Sequence, residues 1–246
     1  SSAVSKGIGE AAAAVVGSGW NDELTCEVVT PSFGPRTVEG YLDGDLAAVA
    51  VASEVARRGK DGDAFVIACY SDPGLYAARE ITDKPVIGIA QASMAVAVQL
   101  GHVFSILTPL SRLRPVLNGL VRRYGFQDHC SSIESVALSV ADAKRDREQT
   151  INLFIEAGER SVMHGAEVII LGGAVLAGME NEISAALGIP VLDPVKCAIG
   201  QAVLLAKLGL KTSKNGGFAT PRNKDCADCP DELGLFYNLI HGEKEE

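Results

Sequence analysis

The amino-acid sequence predicts an α/β protein with two pseudo-symmetric lobes, each a short parallel sheet flanked by helices. Hydrophobic residues make up 47% of the chain and aromatic residues only 5%, which is typical of parallel sheets with Ala, Val, Ile and Leu cores under helices. Apolar runs of strand length alternate with helical patterns, and this order indicates parallel strands joined by right-handed crossovers. One strand–turn–helix pattern also occurs twice, which predicts two lobes of similar plan.

The repeat covers residues 64–74 and 167–178, where a buried strand delivers small residues to a turn and a helix. After one helix, each copy continues with a strand that begins with Pro-Val, at residues 85–89 and 190–193. We expect the two lobes to face each other across a cleft. The predicted lobe boundaries are residues 1–91 plus 198–246 for a discontinuous first lobe, and residues 92–197 for the second.

The individual elements follow from apolar periodicity. Residues 1–19 are predicted to be helical because Ile8, Ala12 and Val15 recur at helical spacing, and residues 25–30 alternate as a strand does. Short uninterrupted apolar runs predict buried strands, and longer amphipathic or Ala-rich patterns predict helices. In order, the further strands are residues 64–68, 85–89, 102–108, one or two within 130–140, 167–171 and 190–193. The further helices are residues 46–57, 75–80, 92–100, 111–124, 141–164, 179–187 and 195–208.

The most informative stretch is Cys69-Tyr70-Ser71-Asp72-Pro73-Gly74-Leu75, directly after the strand at residues 64–68. Ser71 or Asp72 is a predicted N-cap and Pro73 fits the first helical position. Cys69 would then lie at the carboxyl end of a strand, where open α/β sheets bind ligands, and beside a helix N-terminus that favours a thiolate. The alternative interpretation is a buried structural cysteine.

Charge and composition exclude several classes of function. The net charge is −9 and no basic run is visible, which argues against a nucleic-acid partner. The apolar stretches are shorter than a membrane span and no signal peptide is recognisable, so we expect no membrane partner and a cytoplasmic location. The six cysteines are scattered and read as free thiols. Cys226 and Cys229 have CxxC spacing, but no second pair accompanies them, so no metal site is predicted.

With both strand-turns identified, the chain resembles the aspartate/glutamate/hydantoin racemase superfamily, and within it the hydantoin and allantoin racemases. Residues 69–75 resemble the family's first catalytic-cysteine motif. The supporting matches are Thr37-Val38-Glu39-Gly40-Tyr41, Pro85-Val86-Ile87-Gly88-Ile89, Phe104-Ser105-Ile106-Leu107-Thr108, Leu171-Gly172-Gly173 and Ile189-Pro190-Val191-Leu192-Asp193.

The resemblance implies an isomerase, namely a cofactor-independent racemase with its site between two α/β lobes, a small-molecule substrate and a homo-oligomeric state. Family racemases use two cysteines on opposite faces of the substrate's α-carbon, one removing the proton and the other returning it. Cys69 matches the first. The residues implied to contact substrate or its developing oxyanion are Tyr70, Ser71, Asp72, Gly74, Thr108, Gly172 and Gly173.

Two departures from the family pattern leave alternatives open. The second cysteine normally follows Leu-Gly, where this chain has Gly173, and the nearest replacement is Cys197, in the first turns of the last predicted helix. The chain also begins on a helix, whereas family members begin with a strand and an Asn-rich turn, so that strand is absent from the given sequence or the first lobe is incomplete. The alternatives are a one-cysteine decarboxylase or isomerase, as in the arylmalonate decarboxylases, and a non-catalytic small-molecule binder.

Overall fold

The computed structural model describes residues 2–17, 24–138 and 142–224 of the chain. The strands are β1 Phe65–Ile67, β2 Val86–Gly88, β3 Phe104–Thr108, β4 Cys130–Ser135, β5 Val168–Leu171 and β6 Val191–Leu192. The helices are α1 Ser2–Val16, α2 Tyr41–Arg58, α3 Leu75–Ile81, α4 Ile89–Leu100, α5 Arg114–Arg123, α6 Asp142–Arg145, α7 Arg147–Met163, α8 Glu180–Leu187 and α9 Pro194–Lys207. Short 3-10 turns precede α5 and α8.

The strands form two parallel sheets, as the alternation of strands and helices predicts. One sheet pairs β1 with β2, with Phe65 opposite Val86, and the other has the order β4-β3-β5-β6. Phe104 pairs with Cys130 on one side of β3 and with Val168 on the other. The predicted α/β class with parallel sheets flanked by helices is therefore confirmed.

Helices α4 and α9 share one hydrophobic core with both sheets. The largest buried cluster contains Ile87 of β2, Met94 of α4, Phe104 of β3 and Val195 of α9. This shared core places the two sheets in one packed body. The predicted lobe boundary at 197/198 falls inside α9, so the division into lobes stays a prediction.

The outer faces of both sheets have cores of their own. Phe154 of α7 and Ile183 of α8 cover the four-stranded sheet. Val55 of α2 and Leu75 of α3 cover the two-stranded sheet. Helices thus cover both faces of each sheet, which accounts for the apolar runs of the fully buried strands β2, β3 and β5. No described helix is long and apolar enough to cross a membrane.

Three element predictions were wrong. Residues 25–30 are not a strand: they make no ladder with any described strand, and most of their side chains are exposed. Residues 71–73 do not cap α3, because Asp72 takes a left-handed backbone conformation (φ 45°) and the helix begins at Leu75. The helix predicted over residues 141–164 is divided, because Asp146 is extended and accepts the N–H of Gln149 to cap α7.

Candidate active site

Cys69 lies two residues beyond the end of β1, at the carboxyl end of the sheet, as predicted. Its sulfur is 3.4 Å from the Ser71 hydroxyl oxygen. Burial raises the pKa of the Cys69 thiol, hydrogen bonds from the Ser71 hydroxyl and N–H oppose that rise, and the Asp72 charge adds to it. Burial is the largest of these influences and favours the neutral thiol. Stabilisation of the thiolate by the N-terminus of α3, which begins at Leu75, stays a prediction.

Two residues of the turn after Cys69, Asp72 and Gly74, have constrained backbone conformations. Asp72 has a positive φ of 45° and donates its N–H to the carbonyl of Cys69 at 2.9 Å. Gly74 has a φ of 71°, and a Cβ there would lie 2.7 Å from the carbonyl oxygen of Ala48 in α2. Gly74 is thus required by conformation and by the close approach of α2. This turn holds the Cys69 and Ser71 side chains next to each other.

The Asp72 carboxylate faces the protein interior. It accepts the N–H groups of Ala90 and Gln91 at 3.0 and 2.9 Å, at the start of α4, and the hydroxyl of Tyr124 at 2.9 Å. A Cβ on Gly88 would overlap this carboxylate. Asp72 is buried and caps α4 rather than α3. The carboxylate oxygens already have three donors, which differs from the substrate contact implied by the resemblance.

Tyr70 is also an interior residue. Its ring is 5% exposed, and Ser93 donates its hydroxyl to the Tyr70 oxygen at 3.5 Å. Burial raises the pKa of the Tyr70 hydroxyl well above its usual range, and the nearby Asp72, Cys130 and Cys197 groups raise it further. Tyr70 therefore packs behind the Cys69 turn, in the core shared by both sheets.

Gly172 and Gly173 follow β5 and differ in their steric needs. A Cβ on Gly172 would lie 2.8 Å from Ile106 and 2.9 Å from the carbonyl oxygen of Leu107. Gly173 is extended, with φ 178°, and a Cβ there would find its nearest atoms at 3.6 Å or beyond. The pattern typical of close backbone approach thus applies to Gly172 alone. Position 173 has room for a side chain.

The backbone N–H groups expected to stabilise an oxyanion already have acceptors. Gly172 donates to the carbonyl of Leu107 at 2.6 Å, Gly173 to Leu171 at 2.8 Å and Asp72 to Cys69 at 2.9 Å. The Gly173 and Asp72 bonds form within their own turns, and the Gly172 bond joins its turn to β3. The Ser71 hydroxyl and N–H, both beside the sulfur, are better placed to act on a ligand at Cys69.

Thr108 ends β3 and carries an unsatisfied polar atom. Its hydroxyl oxygen is fully buried and has no hydrogen-bond partner among the described residues. The residue before it, Leu107, accepts the N–H of Gly172, so Thr108 is at the same sheet edge as the Gly-Gly turn. A buried hydroxyl without a partner is costly unless another group pairs with it. The predicted role of Thr108 in ligand binding stays open on this basis.

Cys197 lies in the first turn of α9. Asp193 caps this helix by accepting the N–H groups of Val195 and Lys196 at 2.8 and 3.3 Å, which confirms the predicted helix start. Burial and the Asp193 carboxylate raise the pKa of the Cys197 thiol to about 12. Its thiol packs against the core that contains Tyr70. Its predicted catalytic role stays a prediction.

A charged cluster near Cys197 was not predicted. The Lys196 ammonium contacts a carboxylate oxygen of Glu180 at 2.5 Å, and the other Glu180 oxygen is buried without a partner among the described residues. Tyr124 was missed as well, because nothing in its spacing connects it with Asp72. Both sets of contacts join residues from different elements, and sequence spacing carries no such signal.

A cavity of about 330 Å³ adjoins the Cys69 turn on the side of α5. Its wall includes Ser71, Asp72, Tyr76, Arg123 and Tyr124. The described residues form no cluster of side chains suited to a metal ion. Cys226 and Cys229 lie outside the described residues.

Comparisons with known proteins give one consistent family. The chain matches the family model described as Asp/Glu/Hydantoin racemase over residues 1–202. A hydantoin racemase from Pseudomonas sp. is 38% identical over 234 residues, covering 94% of this chain and 92% of that protein.

Solved structures agree with this match. Allantoin racemase from Klebsiella pneumoniae has a TM-score of 0.87 and 34% identity, covering 96% of this chain and 94% of that one. Allantoin racemase from Pseudomonas fluorescens has a TM-score of 0.86 and 31% identity, covering 92% and 94%. The resemblance predicted from the residue motifs is confirmed.

Proposed function

Because the chain belongs to the Asp/Glu/Hydantoin racemase family, we propose that it is a racemase of a hydantoin-like or allantoin-like small molecule with Cys69 as an acid/base group. Membership of the family confirms the prediction of an isomerase. The single observation that supports the role of Cys69 is its position at the carboxyl end of β1, with the Ser71 hydroxyl 3.4 Å from its sulfur.

The proposed reaction inverts a carbon that carries an acidic C–H bond next to a carbonyl group. The Cys69 thiolate takes the proton, so that an S–H bond forms, the C–H bond breaks and its electron pair moves into an enolate. A proton added to the opposite face gives the other enantiomer, and a proton returned from Cys69 gives the starting one. The proposed steps use protein groups alone and need no cofactor.

Thiolate formation is the demanding step in this proposal. Burial and the Asp72 charge disfavour the thiolate, and the Ser71 hydroxyl and N–H favour it. Ser71 is therefore proposed to support the charged sulfur. A neutral Cys69 thiol is equally required in the reverse direction, where it donates the proton.

The proposal has two forms, which differ in the group that adds a proton to the opposite face of the substrate. Cys197 is the candidate for a two-thiol racemase, and its high pKa suits the neutral acid that returns a proton. The absence of a thiol at Gly173 favours a second candidate function, a one-cysteine lyase or isomerase of the same fold. A homo-oligomer and a cytoplasmic location remain parts of the proposal that rest on the sequence.

Proton NMR in D₂O distinguishes these forms, with hydantoins and allantoin offered to the wild type, Cys69→Ala and Cys197→Ala. Exchange of the ring C–H with racemisation by the wild type, and loss of racemisation in both variants, is expected for the two-thiol racemase. Racemisation that is lost in Cys69→Ala but survives in Cys197→Ala indicates a one-thiol mechanism. Racemisation that survives in Cys69→Ala contradicts the role of Cys69, and no exchange by the wild type favours the binding protein.

A further inference from the structure

The Asp72 side chain is a buried acid that the proposed reaction does not use. Its carboxylate has three hydrogen-bond donors from two other elements: two backbone N–H groups of α4 and the hydroxyl of Tyr124, the residue that ends α5. Three hydrogen bonds to a charged acceptor hold the Asp72 side chain firmly in one position. These donors belong to other parts of the chain, and they hold the turn that contains Cys69 in place.

The backbone of this turn depends on those contacts. A positive φ is unusual for Asp, and such conformations persist where the surroundings determine them. Gly88 supplies the space, because any side chain at that position would overlap the Asp72 carboxylate. The hydrogen bond from the Asp72 N–H to the carbonyl of Cys69 also restricts the backbone of the cysteine.

We propose that Asp72 and Tyr124 form a positioning pair, which holds Cys69 and Ser71 in reactive geometry by tying their turn to α4 and α5 at once. The pair joins the Cys69 turn, next to the two-stranded sheet, to α5, the connection between β3 and β4 of the other sheet. A shift of α5 would therefore move the Cys69 turn through one hydrogen bond.

The charged and titratable groups around Asp72 come from each neighbouring element. Arg79 of α3 lowers the pKa of Asp72, while Arg79 itself bonds the carbonyl of Val86 and the side chain of Gln91. Tyr124, directly after α5, donates its hydroxyl, and α4 presents only backbone N–H groups to the carboxylate. On its own turn, Asp72 acts on Cys69, whose thiolate its charge disfavours.

Tyr124→Phe tests the pair by removing one hydroxyl while keeping the aromatic ring. The matched control is Tyr76→Phe, since the Tyr76 ring packs edge-on against Tyr124 at 6.5 Å and makes no hydroxyl hydrogen bond to any described residue. Carbon-13 NMR titration of labelled aspartates follows Asp72, whose signal is assigned by its loss in Asp72→Asn. We expect Tyr124→Phe to raise the pKa of Asp72 by about half a unit to one unit, and Tyr76→Phe to leave it unchanged.

The second readout is the pH dependence of Cys69 alkylation by iodoacetamide, followed by mass spectrometry. Asp72→Asn removes the charge that opposes the thiolate, so we expect the alkylation profile of Cys69 to move to lower pH. The profile of Cys197, which has Asp193 and Glu180 as its charged neighbours, should stay in place. An Asp72 titration unchanged in Tyr124→Phe, or a Cys69 profile unchanged in Asp72→Asn, would overturn the positioning pair.

The catalytic consequence rests on the proposed function and is measured separately. For a racemase, Tyr124→Phe should lower kcat several-fold with KM changed less than twofold, because binding groups remain and the thiol is misplaced. Unchanged kcat in an active enzyme contradicts the proposal. A wild type without turnover would contradict the proposed function only, since the titration and alkylation measurements do not need a substrate.

Discussion

The carboxyl group of Asp72 shows how burial and hydrogen bonding compete at one side chain. Burial raises the pKa of Asp72 to about 6, although the N–H groups of Ala90 and Gln91, the Tyr124 hydroxyl and the Arg79 charge all favour the carboxylate. Burial thus outweighs four favourable contacts. The folded protein holds a proton on Asp72 at pH values where the unfolded chain has already released it.

This imbalance predicts how Asp72 changes stability with pH. Between the unfolded value near 3.8 and the folded value near 6, the native state binds more protons, so stability falls as pH rises. The free energy of unfolding of the wild type, relative to Asp72→Asn, should fall by up to about 3 kcal/mol from pH 4 to pH 7. Asn is suited to the left-handed backbone of this position. Urea unfolding of both proteins at pH 4, 5, 6 and 7 measures the difference.

Asp83 provides a control with the opposite sign. A hydrogen bond from Lys211 lowers the pKa of this exposed carboxyl group, so its small contribution is present above the unfolded pKa and lost as pH falls. The free energy of unfolding of the wild type, relative to Asp83→Asn, should therefore rise with pH across the acidic range. This is opposite to the comparison with Asp72→Asn. Parallel profiles for the wild type and Asp72→Asn would show that Asp72 has an ordinary pKa.

The location of Cys69 was predictable from sequence, whereas its environment was not. An apolar run that ends at a cysteine and continues into Ser-Asp-Pro-Gly identifies a strand-end turn. The sequence does not show which helix Asp72 caps. That depends on α4 and Tyr124, which are distant along the chain and meet Asp72 only in the folded protein.

Helices and strands with strong periodicity were predicted well, and the errors have physical causes. Residues 25–30 alternate in a strand-like way, but pairing requires a neighbouring strand, which the described sheets do not offer. The helix predicted over residues 141–164 is divided because Asp146 is extended and caps α7 instead of continuing α6. Helix α2 begins at Tyr41, five residues before the predicted start, with no side-chain cap that could mark its N-terminus.

The described part of the segment after α9 has no regular secondary structure but is attached to α3. Lys214 donates to the carbonyls of Arg79 and Glu80 at the end of α3, and to the carbonyl of Phe218. Phe218 packs against Tyr76 with ring centroids 5.7 Å apart. Cations near helix C-termini satisfy carbonyls that lack helical partners. The segment therefore closes the helix that follows the Cys69 turn.

Lys214→Met should destabilise the protein by about 1–2 kcal/mol, because three carbonyls lose a charged donor at a partly buried site. The matched control is Lys211→Met, whose exposed ion pair with Asp83 is expected to contribute about 0–1 kcal/mol. Urea unfolding at neutral pH compares the two variants. Equal effects of both substitutions would show that the Lys214 contacts to α3 add no more stability than an exposed ion pair.

The molecule as a whole reflects its internal repeat. Two strand–turn–helix units predicted two parallel sheets, and both are present. The repeat could not show that α4 and α9 pack between the sheets, because helix packing against two partners depends on three-dimensional shape. The units also differ where chemistry would occur, with a cysteine after β1 and the open Gly173 after β5.

Gly173→Cys tests whether that difference decides the reaction. The extended backbone at Gly173 suits any residue, and the nearest atoms to an added Cβ are Val175 at 3.6 Å and Pro109 at 3.7 Å. Both Gly173→Cys and its control Gly173→Ala should therefore fold. If the wild type has a single working thiol, a second at position 173 should raise the racemisation rate by about 100-fold or more over Gly173→Ala.

The result has a different meaning if Cys197 already returns the proton. Gly173→Cys should then change the rate by less than about threefold, because an acid already serves the second face and another adds little. Chiral chromatography of a single hydantoin enantiomer, incubated with Gly173→Cys, Gly173→Ala and Cys197→Ala, separates the two cases. A folded Gly173→Cys variant no faster than Gly173→Ala, in a protein whose activity survives Cys197→Ala, would show that position 173 does not face the substrate. The second proton would then come from neither position 173 nor Cys197.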